Sequence, residues 1–391
     1  MPAAGLTDLI ALALPAPALA AAARAAWDAG DAVLPLPAHA TAPEREQLLA
    51  TLRPTVLVDT DGRHRRPDGV PVDEAVAAVV PTSGTTGTSK GAELTRAGME
   101  LAAHAYAEFL DARPVDAWLA CTPLHHVAGI ATIARAHVTG LPLVVHDQFD
   151  VDRVASAPDT DGATIVLVVP TMLRRLVDAR APLGRFHRVV VGASALSPEL
   201  RARAEELGAR IVETYGMTET WGGVVLEGRA LRGVGVRIAE DGEVLLRGAM
   251  VMRGYRLDPE RTAEVLDADG WIHTGDIGEL APDGRLRVVD RIKDLVISGG
   301  VNVSPVEVEG VLSHHPAVAD VCIVGAPDDE WGERVVAFVV PRDPDAPPSL
   351  DDLRDYARAT LSPPNLPREL RLVTEIPRSA SGKPLRRHLR E

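Results

Sequence analysis

Between residues 165 and 213 the chain alternates short apolar runs with helix-forming segments, and this restricts the fold more than any other feature of the sequence. Ile165-Val166-Leu167-Val168-Val169 is uninterrupted apolar sequence, as in a strand buried on both faces. Thr171 to Val177 follows as a helix, and Val189-Val190-Val191 as the next strand. Ser197 is placed to cap a further helix, with Pro198 at its first position and Gly208 just past its end. Ile211-Val212-Glu213 is the third strand. A strand–helix–strand–helix–strand succession requires parallel pairing with right-handed crossovers. Ligands of such sheets sit beyond the carboxyl ends of the strands. Gly192-Ala193-Ser194 and Thr214 to Thr220 are therefore ligand-loop candidates.

The flanking sequence extends this picture. Residues 1–80 read as α/β, with an apolar-faced helix at the start, a strand near Val33-Leu34-Pro35, a helix from Glu44 to Leu52 and a strand at Thr55 to Val58. In residues 233–290, Asp-Gly pairs at 241–242, 269–270 and 283–284 separate short apolar runs, which is the pattern of antiparallel hairpins. Beyond 291, Pro305 to Leu312 and Leu350 to Leu361 read as helices, and Val321 to Val324, Val335 to Val340 and Leu370 to Thr374 as strands. The expected fold class is α/β: a large N-terminal body of parallel α/β sheets plus a small β-rich unit (1–290), then a small α+β C-terminal domain (291–391).

The formal net charge of -14 disfavours nucleic acid as a partner, because that affinity comes from Lys and Arg on phosphate. Leu9 to Ala23 is apolar but is interrupted by Pro15 and Pro17, preceded by Asp8, and shorter than a bilayer span of about 20 residues. Cytoplasmic localisation without membrane insertion is expected. Cys121 and Cys322 lack metal-ligand spacing and suit a reducing compartment.

The segment Thr82-Ser83-Gly84-Thr85-Thr86-Gly87-Thr88-Ser89-Lys90-Gly91 carries the clearest chemistry. It follows the apolar run Ala75 to Val80. Its glycines let the backbone approach a ligand, its hydroxyls and amides are donors, and Lys90 adds a positive charge, which together suit a polyphosphate. It is not a Walker A loop, because Ser89 and Gly91 flank the lysine where that motif needs Gly and Ser/Thr.

This loop resembles the signature loop of the adenylate-forming superfamily, which contains acyl-CoA synthetases, carrier-protein adenylation domains and beetle luciferases. Ser89 departs from the proline usual there. The resemblance continues in order along residues 75–391. His126, in Pro123 to Gly129, matches the position beside the acyl pocket. Gly192-Ala193-Ser194 matches the loop that packs on adenine. In Glu213-Thr214-Tyr215-Gly216-Met217-Thr218-Glu219-Thr220, the resemblance implies that Tyr215 stacks on adenine, Thr218 touches the α-phosphate and Glu219 holds Mg²⁺. Gly192, Gly216 and Thr220 would also border the acyl pocket. Asp276, in Trp271 to Asp276, and Arg291, in Asp290 to Asp294, would bind the ribose. Asp290 stands where Gly is usual. Lys293 would be the hinge about which the C-terminal domain moves, near 290–294. Ser298-Gly299-Gly300 would face the pantetheine of CoA, and Lys383 would be the adenylation lysine. The implied cofactors are ATP, Mg²⁺ and CoA. The implied catalytic set is Lys383, Thr218, Glu219 and Lys90. Taken singly, His126 is also an ordinary polar residue near a turn, Asp276 a turn or cap residue, and Lys383 a solvated charge.

The resemblance further implies a small carboxylic acid as substrate. The stretch from His126 to Arg135 is similar to that of compact members, the 2-succinylbenzoate–CoA ligases of menaquinone synthesis, in which the matching arginine is thought to meet a substrate carboxylate. The alternative for Arg135 is an exposed helix residue or a structural ion pair, and Arg174 is a second candidate. Other readings are a CoA ligase for another aromatic or short aliphatic acid, a stand-alone adenylation enzyme loading a carrier protein, and an inactive ATP-binding regulator. A homodimer is admitted as an assembly.

Overall fold

The computed structural model describes residues 5–37, 39–82, 90–378 and 384–389. By internal contacts the chain divides into two compact units: Met1–Arg237 with Leu245–Thr274, and Ile238–Val244 with Gly275–Glu391.

The first unit holds two seven-stranded sheets. One runs in the order Leu143–Val145, Trp118–Ala120, Ile165–Val168, Arg188–Val191, Ile211–Met217, Gly222–Leu226, Arg229–Ala230. Its first five strands are parallel, and Gly222–Leu226 pairs antiparallel with its neighbour on either side. The alternation read from the sequence is therefore realised as a parallel sheet. Between its strands lie helices Pro170–Asp178 and Pro198–Glu206. Ser197 Oγ accepts from Leu200 N, and Gly208 turns at φ +84°. Phe186, Leu173, Leu176 and Leu183, each fully buried, pack with the strand residues Val166, Val168 and Val189 into one core.

The other sheet runs Gly254–Tyr255, Lys90–Thr95, Val76–Thr82, Ala32–Pro35, Leu9–Leu12, Val56–Asp59, Gly62–Arg65. One expectation fails here. Leu9–Leu12 is a buried strand, parallel to both Ala32–Pro35 and Val56–Asp59, and the helix begins only at Ala16. Pro15 is the N-cap of that helix, with Pro17 in its first turn, so the prolines start the helix rather than interrupt it. Val76–Thr82 and Lys90–Thr95 pair antiparallel with Thr82 opposite Lys90. The two ends of the phosphate-loop candidate are thus neighbours on a rigid ladder.

The second unit carries a five-stranded sheet in which Val318–Asp328 and Gly332–Pro341 form a long antiparallel pair. Glu369–Leu372 lies parallel to the latter, and Val296–Ser298 and Val301–Val303 form a short hairpin. Helices Pro305–Leu312 and Leu350–Ala357 cover it, and Leu312, Leu353, Ile323 and Val339 are buried in its core. Asp283-Gly284 makes the turn into Leu286–Arg291, with Gly284 at φ +79°. Among the described residues no helix is long and apolar enough to cross a membrane.

Candidate active site

In the first unit, three side chains from distant parts of the chain converge. Lys90 opens a strand whose other edge pairs with Gly254–Tyr255. Glu219 lies in the short turn Thr218–Thr220 at the end of Ile211–Met217 and is buried. Tyr255 Oη donates to Glu219 Oε1 at 2.7 Å, and the Lys90 ammonium stands 4.8 Å from the Tyr255 ring centroid. Burial and the neighbouring Glu219 push the phenol well above the usual range, so it remains a donor at every working pH. Glu219 Oε2 has no hydrogen-bond partner among the described residues. Thr218 is half-buried beside it.

The strand Ile211–Met217 is longer than expected. Thr214 to Met217 is not a loop but pairs antiparallel with Gly222–Leu226, with a bulge between Tyr215 and Gly216. The chain approach is so close that a Cβ on Gly216 would lie 2.0 Å from the Gly222 carbonyl oxygen, which fixes Gly at that place. Thr220 Oγ1 accepts from Met217 N and donates to Gly222 O, closing the turn. Gly192 is buried against Thr214, while Ala193 and Ser194 are exposed, with Ala193 in the left-handed region at φ +73°. Glu213 is engaged by Arg201 at 3.1 Å, and burial raises its carboxyl above the usual range.

Arg135 is buried, not exposed, in the helix Val127–Thr139. Its guanidinium lies 3.7 Å from the Tyr106 ring centroid and 5.8 Å from that of Trp118. Nε and Nη1 have no hydrogen-bond partner among the described residues, and no ion pair includes Arg135. Burial pulls its pKa down. Tyr106 Oη shares a hydrogen bond of 2.8 Å with Thr214 Oγ1, so the arginine and the Thr214–Met217 strand meet on one tyrosine. His126 is the N-cap residue of the same helix, and its ring lies 4.2 Å from that of His125.

His125 has a consequence for stability. Burial first, then His126 and His39, push its pKa down to about 4 from 6.5. The folded chain stays unprotonated there while the unfolded chain takes up a proton, so stability falls as pH drops from 6.5 towards about 4. Thermal unfolding of His125→Gln should lose part of this acid slope. Parallel melting curves for variant and parent across that range would contradict the shift.

The second unit carries the remaining candidates. Asp276 is buried and pairs in register with Arg291, whose Nε lies 3.1 Å from its carboxylate. Lys293 is exposed in the turn Ile292–Asp294. Asp290, the departure noted above, accepts from Ser304 Oγ at 2.7 Å and Val306 N at 3.0 Å, and so ties this turn to the start of helix Pro305–Leu312. Ser298 is buried, and Gly299 and Gly300 turn at φ +60° and +78°. A Cβ on Gly299 would meet the Trp331 ring at 2.8 Å. Ser83, Gly84, Thr85, Thr86, Gly87 and Thr88 lie outside the described residues, as does Lys383. Both cysteines are buried, and burial pushes each thiol up to about 12, which removes them as nucleophiles.

The family model for AMP-binding enzymes matches residues 60–256, and that for the AMP-binding enzyme C-terminal domain matches 307–383. The chain belongs to the AMP-binding enzyme family. It is an ATP-dependent, AMP-forming ligase, as the phosphate loop and the motifs after it imply. Within the family it is 37% identical over 327 residues to the probable 2-succinylbenzoate–CoA ligase of Mycobacterium tuberculosis, covering 81% of this chain and 84% of that one. It is 33% identical over 333 residues to the 2-succinylbenzoate–CoA ligase of Listeria monocytogenes, covering 81% and 70%. The o-succinylbenzoate CoA synthetase (MenE) of Bacillus subtilis, solved with its acyl-adenylate intermediate OSB-AMP, superposes with a TM-score of 0.86 at 28% identity, over 98% of this chain and 88% of that one. The same Bacillus protein has been solved with ATP and a magnesium ion.

Sequence reasoning missed Tyr255, Tyr106 and Trp331. Each is next to a family motif only through strand pairing or helix packing, so no local pattern marks it.

Proposed function

We propose that the protein joins 2-succinylbenzoate to CoA through an acyl-adenylate. The observation that carries the choice of acid is the buried, unpaired guanidinium of Arg135. A buried charge is costly without a counter-ion, so Arg135 favours an acid that brings a second carboxylate. 2-Succinylbenzoate has one carboxylate to activate and another to pair with Arg135. The named relatives act on that acid.

The reaction brings two anions together, and the side chains act by charge and position. Lys90 and the hydroxyls and amides from Thr82 to Thr88 neutralise the β- and γ-phosphates. Tyr215 and Gly192-Ala193-Ser194 hold adenine, Asp276 and Arg291 hold the ribose, and Thr218 donates to the α-phosphate. Lys383 bridges the carboxylate and that phosphate. A carboxylate oxygen attacks the α-phosphorus as its bond to the pyrophosphate oxygen breaks. The 291–391 domain then turns about Lys293 and brings Ser298-Gly299-Gly300 to the pantetheine. The CoA thiol attacks the acyl carbonyl, loses its proton and expels AMP.

The residues fit Mg²⁺. Glu219 presents one unengaged carboxylate oxygen, a hard anionic ligand of the kind Mg²⁺ takes. Glu219 would hold the ion as its protein carboxylate, with ATP phosphates and water supplying the rest, as is usual for Mg²⁺. When bound, it would supply positive charge to the phosphate oxygens. Supply of ATP, 2-succinylbenzoate and CoA should yield AMP and the thioester. Benzoate, and a pantetheinyl carrier protein in place of CoA, should be much poorer; equal rates with benzoate would set the assigned acid aside.

A further inference from the structure

We propose that Tyr255 is a positioning residue for the adenylation step, holding the metal carboxylate Glu219 with its hydroxyl and the phosphate cation Lys90 with its ring. The proposal rests on the roles given above to those two residues.

The two ends of the tyrosine do different work. Its hydroxyl donates to one oxygen of Glu219 at 2.7 Å and leaves the other open. A carboxylate held by one oxygen cannot rotate freely, so the open lone pairs point in one direction, as partners behind metal ligands commonly enforce. Its ring faces the Lys90 ammonium at 4.8 Å, a cation–π distance. Among the described residues Lys90 makes no ion pair, so the ring is the support for a charge that is kept available to an anion.

The tyrosine is itself rigidly mounted. Gly254 and Tyr255 pair with Glu93 and Ala92, which places the ring next to the start of the Lys90 strand. Tyr255 N donates to Thr262 Oγ1 at 2.8 Å. The next residue, Arg256, is buried and donates to the carbonyls of Leu52, Pro71 and Val70 and to Glu93. Three residues before Tyr255, Met252 N donates to the Glu219 carbonyl at 2.7 Å. The segment 252–256 therefore grips Glu219 by both backbone and side chain. Glu219 Oε2 is not one of the buried polar atoms left without a partner, so the oxygen that Tyr255 leaves open stays reachable by a ligand.

The test compares Tyr255→Phe, which keeps the ring, with Tyr255→Leu, which removes it, in the full chain. ATP binding is measured by calorimetry with magnesium and again in EDTA. The magnesium dependence of pyrophosphate release and thioester formation from supplied acyl-adenylate are measured alongside. Tyr255→Phe should raise the magnesium needed for half-activation and weaken ATP binding in magnesium, each about 10-fold, with less than about a twofold change in EDTA. Tyr255→Leu should also weaken ATP binding in EDTA, because Lys90 loses its support. Thioester formation should be retained in both. Tyr255→Phe behaving as the parent overturns the proposal. So does an equal loss with and without magnesium accompanied by loss of thioester formation, which is the mark of a structural role. If the parent itself shows no magnesium effect on ATP binding, the reading of Glu219 fails, and the proposal with it.

Discussion

Replacing Glu219 with Gln is expected to slow acid-dependent pyrophosphate release by about 10²- to 10³-fold, the usual cost of removing one group aimed at the transition-state charge. The substitution is isosteric. The amide oxygen can still accept from Tyr255 Oη, and the backbone carbonyl still accepts from Met252 N, so the turn Thr218–Thr220 keeps its anchors. What is lost is the negative charge on the unengaged oxygen. Burial without that charge is, if anything, easier, and the melting temperature should not fall. Thioester formation from supplied acyl-adenylate involves no pyrophosphate and should survive. Equal loss in both half-reactions would remove Glu219 from the metal site.

Arg135→Met should raise the Michaelis constant for a dicarboxylic acid by about 10²-fold, because the second carboxylate would be buried without its partner. The effect on benzoate, which has no second carboxylate, should be small. Methionine preserves most of the side-chain volume between Tyr106 and Trp118 while deleting an unpaired buried charge. Stability should therefore hold or rise, as when buried ionic groups are replaced by apolar ones. The combination decides between readings. A fall in melting temperature with equal effects on both acids would mean a structural arginine. Unchanged stability with loss confined to the dicarboxylate means a specificity residue.

The parts of the fold that were legible in the sequence are those specified locally. The run Ile165 to Val169 and the Ser197-Pro198 helix start carry their signals within a few residues, and the structure places them as read. Leu9–Leu12 carries no strand signal of its own, because a short apolar run buried on all sides has no periodicity, and the alanines after it favour helix. Thr214 to Met217 looks like a loop locally, because its strand character comes from pairing with Gly222–Leu226 across a bulge between Tyr215 and Gly216. For the site, motifs named the charged and glycine residues. They could not name Tyr255 or Tyr106, since a phenol that meets Glu219 or Thr214 does so across strands and helices far apart in sequence. Nor could they decide whether Arg135 was exposed, because the sequence of Val127–Thr139 is apolar on more than one face and burial is set by Tyr106 and Trp118.

The central claim is that ATP is cleaved between its α- and β-phosphates by attack of a carboxylate, before any thiol takes part. Exchange of labelled pyrophosphate into ATP, measured without CoA, tests it most directly. The site described here predicts exchange that requires the acid, is strong with 2-succinylbenzoate and falls with Glu219→Gln. Absence of exchange with every acid offered, or release of ADP in place of AMP, would contradict it.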